Sequence, residues 1–191
     1  MPDLKGSRTE KNLLAAFAGE CQAHVRYAFH AKQAKKEGYE QIAALFLETS
    51  EQEKAHARRF SRLLGGLSAE VTLPLAFPES GPTLDNLERS ALGEERVGSL
   101  TYPEAAGVAR DEGFAEAALV FEHIARAEIH HQQRFRALAE NLRAGSVFAR
   151  PEPVLWRCRH CGWTHEAKAA PERCPACAHP QAHFEITPWN W

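Results

Sequence analysis

The sequence lacks the features that mark several large classes of protein. No apolar run approaches the roughly 18 residues that a membrane-spanning helix needs. The first eleven residues, MPDLKGSRTEK, contain no apolar segment of the kind found in signal peptides. Acidic and basic side chains nearly balance at a formal net charge of −2, so no positive field attracts nucleic acid or an anionic membrane. We therefore expect a cytoplasmic protein that binds neither nucleic acid nor membrane.

Cysteine is also scarce, but its placement is uneven. Five cysteines occur in 191 residues, and four of them fall within the last 34. Because thiols stay reduced in the cytoplasm, such a cluster indicates a metal site rather than disulfides. The rest of the composition, with 44% hydrophobic and 25% charged residues, is close to globular averages and excludes general disorder.

Hydrophobic periodicity predicts four helices arranged as two hairpins. They cover residues 7–36, 40–64, 83–111 and 114–143. Ser7 and Glu10 form a capping box at the start of the first helix, and Pro103 should kink the third helix or interrupt its hydrogen bonding. The connecting residues 67–82 carry three prolines and cannot form a helix interior. Two hairpins joined by one long crossover favour a mainly α fold, a ferritin-like four-helix bundle.

Composition divides the chain into three parts. We expect residues 1–145 to form the bundle, residues 146–154 to be a linker, and residues 155–191 to form a small β and knuckle metal domain. About thirty residues cannot bury an adequate apolar core, so this last part needs a metal or another cross-link in order to fold.

The same arrangement of acids and histidines occurs twice in the bundle. In each hairpin a lone glutamate on the first helix precedes a Glu-x-x-His motif on the second, by 33 residues in one hairpin and 34 in the other. The residues are Glu20, Glu53 and His56, and then Glu94, Glu128 and His131. Residues three apart share a helix face, and a rise of about 1.5 Å per residue places every acid near the middle of the bundle. We therefore expect four carboxylates and two imidazoles to converge.

Four carboxylates gathered in a protein interior require compensating positive charge. Two divalent cations would neutralise them, and mixed oxygen and nitrogen ligands suit iron or manganese. One glutamate from each of two helices and a Glu-x-x-His from each of the other two is the arrangement of di-iron and di-manganese carboxylate bundles. A single Glu-x-x-His is common on helices, so the signal becomes specific only through its duplication at matching heights.

Two tyrosines and one cysteine lie near these acids. Tyr27 follows Glu20 by seven residues. Tyr102 follows Glu94 by eight, so each tyrosine lies on the face of its acid. The tyrosines are either core aromatics with a satisfied hydroxyl or donors of hydrogen bonds to metal-binding carboxylates. We expect Cys21, the cysteine outside the terminal cluster, to be a small core residue.

The C-terminal cysteines form two Cys-x-x-Cys pairs separated by twelve residues. They are Cys158, Cys161, Cys174 and Cys177. Two such pairs form knuckles that hold one metal in a tetrahedron of thiolates. The metal is either zinc, in a stabilising ribbon, or iron, in a one-electron carrier. An electron carrier beside an oxidisable di-metal bundle makes chemical sense, which favours iron.

Taken together, these motifs resemble the rubrerythrin family along nearly the whole chain. The matching stretches are KGSRTEKN from Lys5, AFAGE up to Glu20, the two Glu-x-x-His motifs, WRCRHCG from Trp156, CPACAHP from Cys174, and HFE from His183. The resemblance implies a ferritin-like domain with two non-haem irons, followed by a rubredoxin-like domain with one Fe(Cys)4 iron.

The resemblance also implies an activity. Such proteins are peroxidases that reduce hydrogen peroxide to water and protect against oxidative stress. Electrons come from an NAD(P)H-dependent reductase or a rubredoxin-type donor, through the Fe(Cys)4 iron to the di-iron site, and the protein is usually a homodimer. By position, Glu20, Glu53, Glu94, Glu128 and His131 correspond to iron ligands, His56 to a movable ligand, and Tyr27 and Tyr102 to tyrosines beside them.

One position departs from the family pattern. Rubrerythrins typically have a second glutamate three residues after the acid of the third helix, and here Val97 stands three residues after Glu94. In the family, that carboxylate exchanges with the histidine as one iron shifts between redox states. Valine cannot bind a metal, and Glu95 lies about 100° further round the helix. Our hypothesis is that His56 stays bound in both redox states and that the iron shift is lost.

Two other functions stay open on the sequence alone. Without the extra carboxylate, the bundle could be a ferroxidase for iron handling, or oxidase-like, beside a structural zinc ribbon. A ribbon adaptor that binds nucleic acid is disfavoured by the near-neutral charge. It would also leave the paired bundle motifs unexplained.

Overall fold

The computed structural model describes residues 2–66, 68–72 and 80–189. Its helices are α1 Arg8–Lys36, α2 Glu40–Leu64, α3 Thr83–Arg96, α4 Tyr102–Asp111 and α5 Ala115–Arg143. A π-helical turn, Val97–Thr101, joins α3 to α4 so that they run as one long third helix. The predicted mainly α bundle of two hairpins is confirmed. Pro74 and Pro78 of the connecting segment lie outside the described residues.

Local sequence signals set the helix ends. The hydroxyl of Ser7 accepts a hydrogen bond from the backbone N–H of Glu10 at 2.9 Å, which is one half of the predicted capping box. The carboxylate of Glu10 accepts from the N–H of Gly6 and thus lies one residue further out than the box requires. Helix α2 ends at Gly65, whose φ of 62° lies in the left-handed region that favours glycine.

Pro103 interrupts the hydrogen bonding of the third helix, as the sequence predicts. It has no N–H, and just before it the backbone N–H of Tyr102 donates to the carbonyl of Val97, five residues back. This π-helical turn holds one residue more than an α-helical turn. The eighth residue after Glu94 therefore lies where the seventh residue of a regular helix would lie. As a result, Tyr102 and Glu94 share the inward face of the bundle.

Two apolar clusters fill the bundle, one on each side of the acids. The first cluster includes Leu13, Phe60, Tyr102, Ala109 and Phe121. The second includes Tyr27, Ile42, Phe46, Leu87 and Phe135. Along each long helix the predicted metal-binding acid comes between members of the two clusters, as Glu20 comes between Ala16 and Ala23. The acids therefore lie at mid-height, with apolar side chains above and below.

The C-terminal part is a small antiparallel sheet. Its strands are β1 Ala149–Cys158, β2 Thr164–Ala169 and β3 Phe184–Ile186, in the order β2-β1-β3, with a short 3-10 helix at Gln181–His183. Strand β1 begins inside residues 146–154, the segment expected to be a linker. Trp156 and Phe184 are fully buried at its centre together with Cys158 and Cys174. The small core thus includes two of the four clustered cysteines.

This sheet contacts the end of the bundle where α1 turns into α2. The ring of Tyr39 stacks on that of Phe148 with centroids 6.1 Å apart. Nearby, His183 Nε2 lies 3.8 Å from Glu40 Oε1. Within the part of the chain that the structure describes, no helix has both the length and the apolar character to cross a bilayer.

Candidate metal centres

The six bundle residues singled out in the sequence lie together inside the bundle. Five are buried with exposures of at most 5%, and only His56 is half-buried. Their possible ligand atoms form two groups, within each of which all atoms lie less than 4.8 Å from one another. The first group is Glu20, Glu53, His56 and Glu128, and the second is Glu53, Glu94, Glu128 and His131.

Glu53 and Glu128 belong to both groups and therefore occupy bridging positions between two cation sites. Each site is completed by one glutamate and one histidine from a single hairpin. The first hairpin supplies Glu20 and His56, and the second supplies Glu94 and His131. Four carboxylate charges match two divalent cations, and the mixed oxygen and nitrogen donors suit iron or manganese.

Unsatisfied oxygens support a metal at these sites. Among the described residues, buried Glu53 Oε1 and Glu128 Oε1 have no hydrogen-bond partner. Yet Glu53 Oε1 lies 3.0 Å from His131 Nδ1, and Glu128 Oε1 lies 3.0 Å from His56 Nδ1. A buried carboxylate oxygen without a partner costs free energy. A cation among these atoms would take up the free lone pairs, so the donor set fits metal ions.

The pKa shifts show that positive charge stabilises the cluster. Burial, reinforced by the neighbouring carboxylates, raises the pKa of Glu20 to about 8 and that of Glu94 well above its ordinary value. Burial also acts on Glu53, but its close contacts with His131 and His56 outweigh it and lower the pKa of that carboxyl. The same contacts overcome burial to raise the pKa of both histidines. Cation binding here would therefore release protons.

The two tyrosines connect the hairpins through the acids. Tyr27 on α1 donates a hydrogen bond to Glu94 Oε1 on α3, and Tyr102 on α4 donates to Glu20 Oε1 on α1. Burial, followed by the charge of the accepting carboxylate, raises the pKa of each tyrosine well above its ordinary value. Both hydroxyls therefore keep their protons at neutral pH and act as donors.

On the side away from the acids, His131 is oriented by Gln52 and Arg134, which the sequence did not single out. Its Nε2 lies 3.0 Å from Gln52 Oε1, and because that oxygen only accepts, Nε2 carries the proton. Gln52 is oriented by its own amide nitrogen, 3.3 Å from Glu48 Oε1, and by Arg134, whose guanidinium lies 3.4 Å from Gln52 Oε1. His131 Nδ1 is thereby left free to bind a metal. Adjacency to the motifs is the only sequence signal, since Gln52 precedes Glu53 and Arg134 follows His131 by three residues.

The two histidines differ in accessibility. The side chain of His56 is 16% exposed, whereas that of His131 is 4% exposed. Val97, at the departure from the family pattern, packs against the apolar cluster that contains Tyr102 and Phe121. The structure thus places an aliphatic group, which cannot bind a metal, three residues after Glu94.

The four C-terminal cysteines form the second centre. Cys158 Sγ lies 3.8 Å from Cys177 Sγ, and Cys161 Sγ lies 3.7 Å from Cys174 Sγ. These distances are too long for a disulfide bond of about 2.05 Å. They match a tetrahedron, because metal–sulfur bonds of about 2.3 Å place the sulfurs about 3.8 Å apart. All four cysteines are brought together as one ligand set.

The expectation that Cys21 is a core residue is wrong. Cys21 is exposed. It follows Glu20 directly, so its side chain points about 100° away from the inward-facing acid. It shares the outer side of α1 with Phe17, Val25 and Phe29, which are 37%, 47% and 60% exposed.

Comparison with known proteins identifies relatives of the whole chain. The family model described as Rubrerythrin matches residues 11–139, and the model described as Rubrerythrin, rubredoxin-like domain, matches residues 156–185. A rubrerythrin of Porphyromonas gingivalis is 50% identical over 188 residues, covering 98% of this chain and 94% of its own. A rubrerythrin of Nitratidesulfovibrio vulgaris is 50% identical over 193 residues, covering both chains completely. The solved structure of fully reduced, all-ferrous nigerythrin has a TM-score of 0.65 and 31% identity, covering 96% of this chain and 91% of that one.

Proposed function

The chain belongs to the rubrerythrin family, and from that premise we propose that it is a non-haem di-iron peroxidase that reduces hydrogen peroxide to water. Membership implies a di-iron oxidoreductase with a further Fe(Cys)4 iron. We assign the di-iron site to Glu20, Glu53, His56, Glu94, Glu128 and His131. We assign the mononuclear iron to Cys158, Cys161, Cys174 and Cys177.

One observation carries the proposal: two four-ligand groups share Glu53 and Glu128. Shared carboxylates would hold two cations close enough to act on one small substrate. When bound, the two irons supply two electrons and two Lewis-acidic centres for cleavage of an O–O bond. The reaction consumes one peroxide, two electrons and two protons and yields two water molecules.

The chain's own residues orient the ligands and control water. Tyr102 fixes one oxygen of Glu20, and Tyr27 fixes one oxygen of Glu94. Gln52 fixes the ring of His131. The apolar clusters above and below the acids exclude water from those two directions, which strengthens the electrostatic interactions within the site.

We assign electron entry to the C-terminal domain. Residues 1–145 would then be the oxidant-reducing unit and residues 155–191 the relay, supplied by an NAD(P)H-dependent reductase or a rubredoxin-type donor. The exposed apolar side chains of Phe29 on α1 and Leu92 on α3, 60% and 62% exposed, support a homodimer. Sedimentation velocity tests that assembly, and a monomer at micromolar concentration would contradict it.

The decisive experiment is anaerobic purification with metal quantitation, followed by stopped-flow mixing of the reduced protein. We expect about three irons per chain, two in the bundle and one in the cysteine site. Hydrogen peroxide should oxidise the diferrous protein faster than dioxygen does. Equal or faster oxidation by dioxygen would overturn the peroxidase assignment.

Val97 supports a second candidate, a ferroxidase or oxidase-like protein. With valine packed among apolar side chains, the site has one carboxylate fewer than the family pattern. Less negative charge stabilises the diferric state less. In this case dioxygen would be the faster oxidant, and added ferrous iron would be oxidised in many turnovers without an electron donor.

A further inference from the structure

The four cysteines of the C-terminal domain lie at different depths. They belong to two cysteine loops, residues 158–163 and 173–180. Each loop buries its first cysteine, Cys158 or Cys174, in the small core of the domain. The second cysteine of each loop lies outward, since Cys161 is exposed and Cys177 is half-buried. An electron from another molecule therefore reaches a metal held by these thiolates most directly through the sulfurs of Cys161 and Cys177.

The surface around these two sulfurs is low and uncharged. Four small residues of the cysteine loops are exposed, namely Gly162, Pro175, Ala176 and Ala178. The ring of His160 stacks on that of His179 with centroids 3.5 Å apart, which joins the two loops. Because no long side chain covers the sulfurs, another protein can approach them closely, as electron transfer requires.

The charges at the edge of the cysteine loops are positive. The two loops contain two arginines and no acidic residue. Arg173 Nη1 donates to the carbonyl oxygen of Ala178 at 3.0 Å, and within the described part of the chain no carboxylate forms an ion pair with it. Arg159 shares the buried carboxylate of Glu185 with Arg157, so these three side chains together keep one positive charge.

Nearby negative charge does not cancel the two positive positions. Glu172 is exposed and directly precedes Arg173, which pairs with Pro180 in an antiparallel bridge. Successive side chains of an extended segment point to opposite sides, so Glu172 points away from Arg173. A ferric ion with four thiolates carries a single negative charge. The face of the cysteine loops therefore stays positive in the state that accepts an electron.

We propose that this face is the docking site of a small electron-carrying protein whose own redox centre is surrounded by acidic side chains. The inference rests on the proposed relay function of the C-terminal domain and names the kind of donor that the domain accepts. Electron-transfer complexes are small and short-lived, and opposite charges mainly speed the encounter. In each encounter the carrier loses one electron and the ferric ion of the cysteine site becomes ferrous, and no bond forms or breaks.

Substitutions of Arg173 test the docking site. Arg173→Glu reverses the unpaired charge, Arg173→Gln removes it, and Arg173→Lys keeps it. Lys168→Glu is the matched control, because it makes the same change of charge at an exposed position of the same domain. Lys168 lies on β2 four residues beyond Thr164, the end of the strand beside the first loop, which is about 13 Å along the strand. The visible absorption of the ferric cysteine site verifies that each variant folds.

The first measurement is stopped-flow reduction of the ferric cysteine site by a reduced rubredoxin of acidic isoelectric point, in the full-length, iron-loaded protein. The second-order rate constant should fall as salt is added, because the partners carry opposite charges. Arg173→Glu should lower it about fivefold or more at low ionic strength, and Arg173→Gln should lower it less. Arg173→Lys and Lys168→Glu should stay within about twofold of the parent. Spectroelectrochemical titration of each variant separates a slower encounter from a changed midpoint potential.

The second measurement detects binding without electron transfer. Zinc-loaded, full-length protein labelled with ¹⁵N is titrated with the oxidised rubredoxin, and its amide signals are followed by NMR. Signals of the two cysteine loops should shift in the parent and in Lys168→Glu and should stay in place in Arg173→Glu. A cytochrome c of basic isoelectric point should shift none of them.

The outcomes separate this inference from the proposed function. A rate constant that does not depend on salt, or shifts confined to other parts of the chain, would overturn the docking site. Loop signals that shift when the protein alone is concentrated would assign the face to contacts between copies of this chain and would also overturn it. If the carrier reduces the cysteine site as expected while peroxide fails to oxidise the reduced bundle, the docking site stands and the peroxidase fails. The reverse pair of results removes the docking site alone.

Discussion

Tyr27 on α1 and Glu94 on α3 are joined by a buried hydrogen bond that crosses from one hairpin to the other. Tyr102 on the third helix makes the reverse connection to Glu20 on α1. Each lone glutamate is thus held by a tyrosine from the opposite hairpin. The two halves of the bundle position each other's metal ligands.

Removal of one tyrosine hydroxyl tests the contribution of these hydrogen bonds between the hairpins. Tyr27→Phe leaves an oxygen of Glu94 without its donor, so we expect the free energy of unfolding of the zinc-loaded protein to fall by about 1–3 kcal/mol. Urea denaturation measures the change. Tyr39→Phe is the control, because Tyr39 stacks on Phe148 away from the acids. Equal effects of the two substitutions would contradict a specific role for the bond to Glu94.

The support of His131 by Gln52 is expected to tune the metal centre. Gln52→Leu removes the acceptor of the His131 Nε2 proton, and loss of such a partner typically lowers metal affinity or activity 10–100-fold. Gln52→Glu makes the ring a stronger donor to iron, so the midpoint potential of the di-iron centre should fall. Spectroelectrochemical titration measures the potential. Gln133→Leu, at an exposed position on α5, is the control and should leave it unchanged.

Mutation should separate the function of the cysteine site from that of the di-iron site. Cys161→Ser removes one thiolate of the four, so the protein should lose one iron per chain and the visible absorption of the ferric cysteine site. Peroxide should still oxidise the reduced bundle in a single turnover, but NAD(P)H-driven turnover should stop. Cys21→Ser, which removes the exposed thiol outside the cluster, should change neither property. Persistent NAD(P)H turnover in Cys161→Ser would disprove the relay.

Acid should destabilise the bundle through His30. His30 is a buried residue of α1. Burial, followed by the charges of Arg26 and Arg89, lowers its pKa to about 4. The unfolded chain protonates His30 below its ordinary pKa of about 6.5, whereas the folded protein does not. Stability should therefore fall as the pH drops from 6.5 towards 4. Urea titrations at pH 7 and pH 5, at equal metal content, should show a smaller pH effect in His30→Phe than in the parent or in the exposed control His123→Phe.

We expect Val97 to prevent an iron from changing ligands. In diferric and diferrous crystals of the parent, we expect His56 to stay bound and each iron to keep its position within about 1 Å, half a metal–ligand bond length. Val97→Glu restores a carboxylate three residues after Glu94 and should allow the displacement. A larger shift with release of His56 in the parent would refute the hypothesis.

Much of the fold could be predicted from the sequence, because its signals are local. The ends of α2, the turn at Gly113 and the effect of Pro103 follow from glycine and proline chemistry. The convergence of the acids follows from spacing and helix rise alone. The paired Cys-x-x-Cys motifs predict their cluster in the same way.

The relations between hairpins could not be predicted from the sequence. No spacing rule connects Tyr27 to Glu94, 67 residues later, because that contact depends on how the hairpins pack. Gln52 and Arg134 meet only because α2 and α5 are neighbours behind His131. The exposure of Cys21, by contrast, follows from local helix geometry, because a residue directly after an inward-facing acid points about 100° away from it.

The shared position of Glu53 and Glu128 has a consequence for how the metals enter. The first ion would order both of these carboxylates, so the second ion would meet two of its four ligands already in place. Loss of either ion would loosen half of the other's coordination. We expect this reciprocal dependence to make metal loading cooperative.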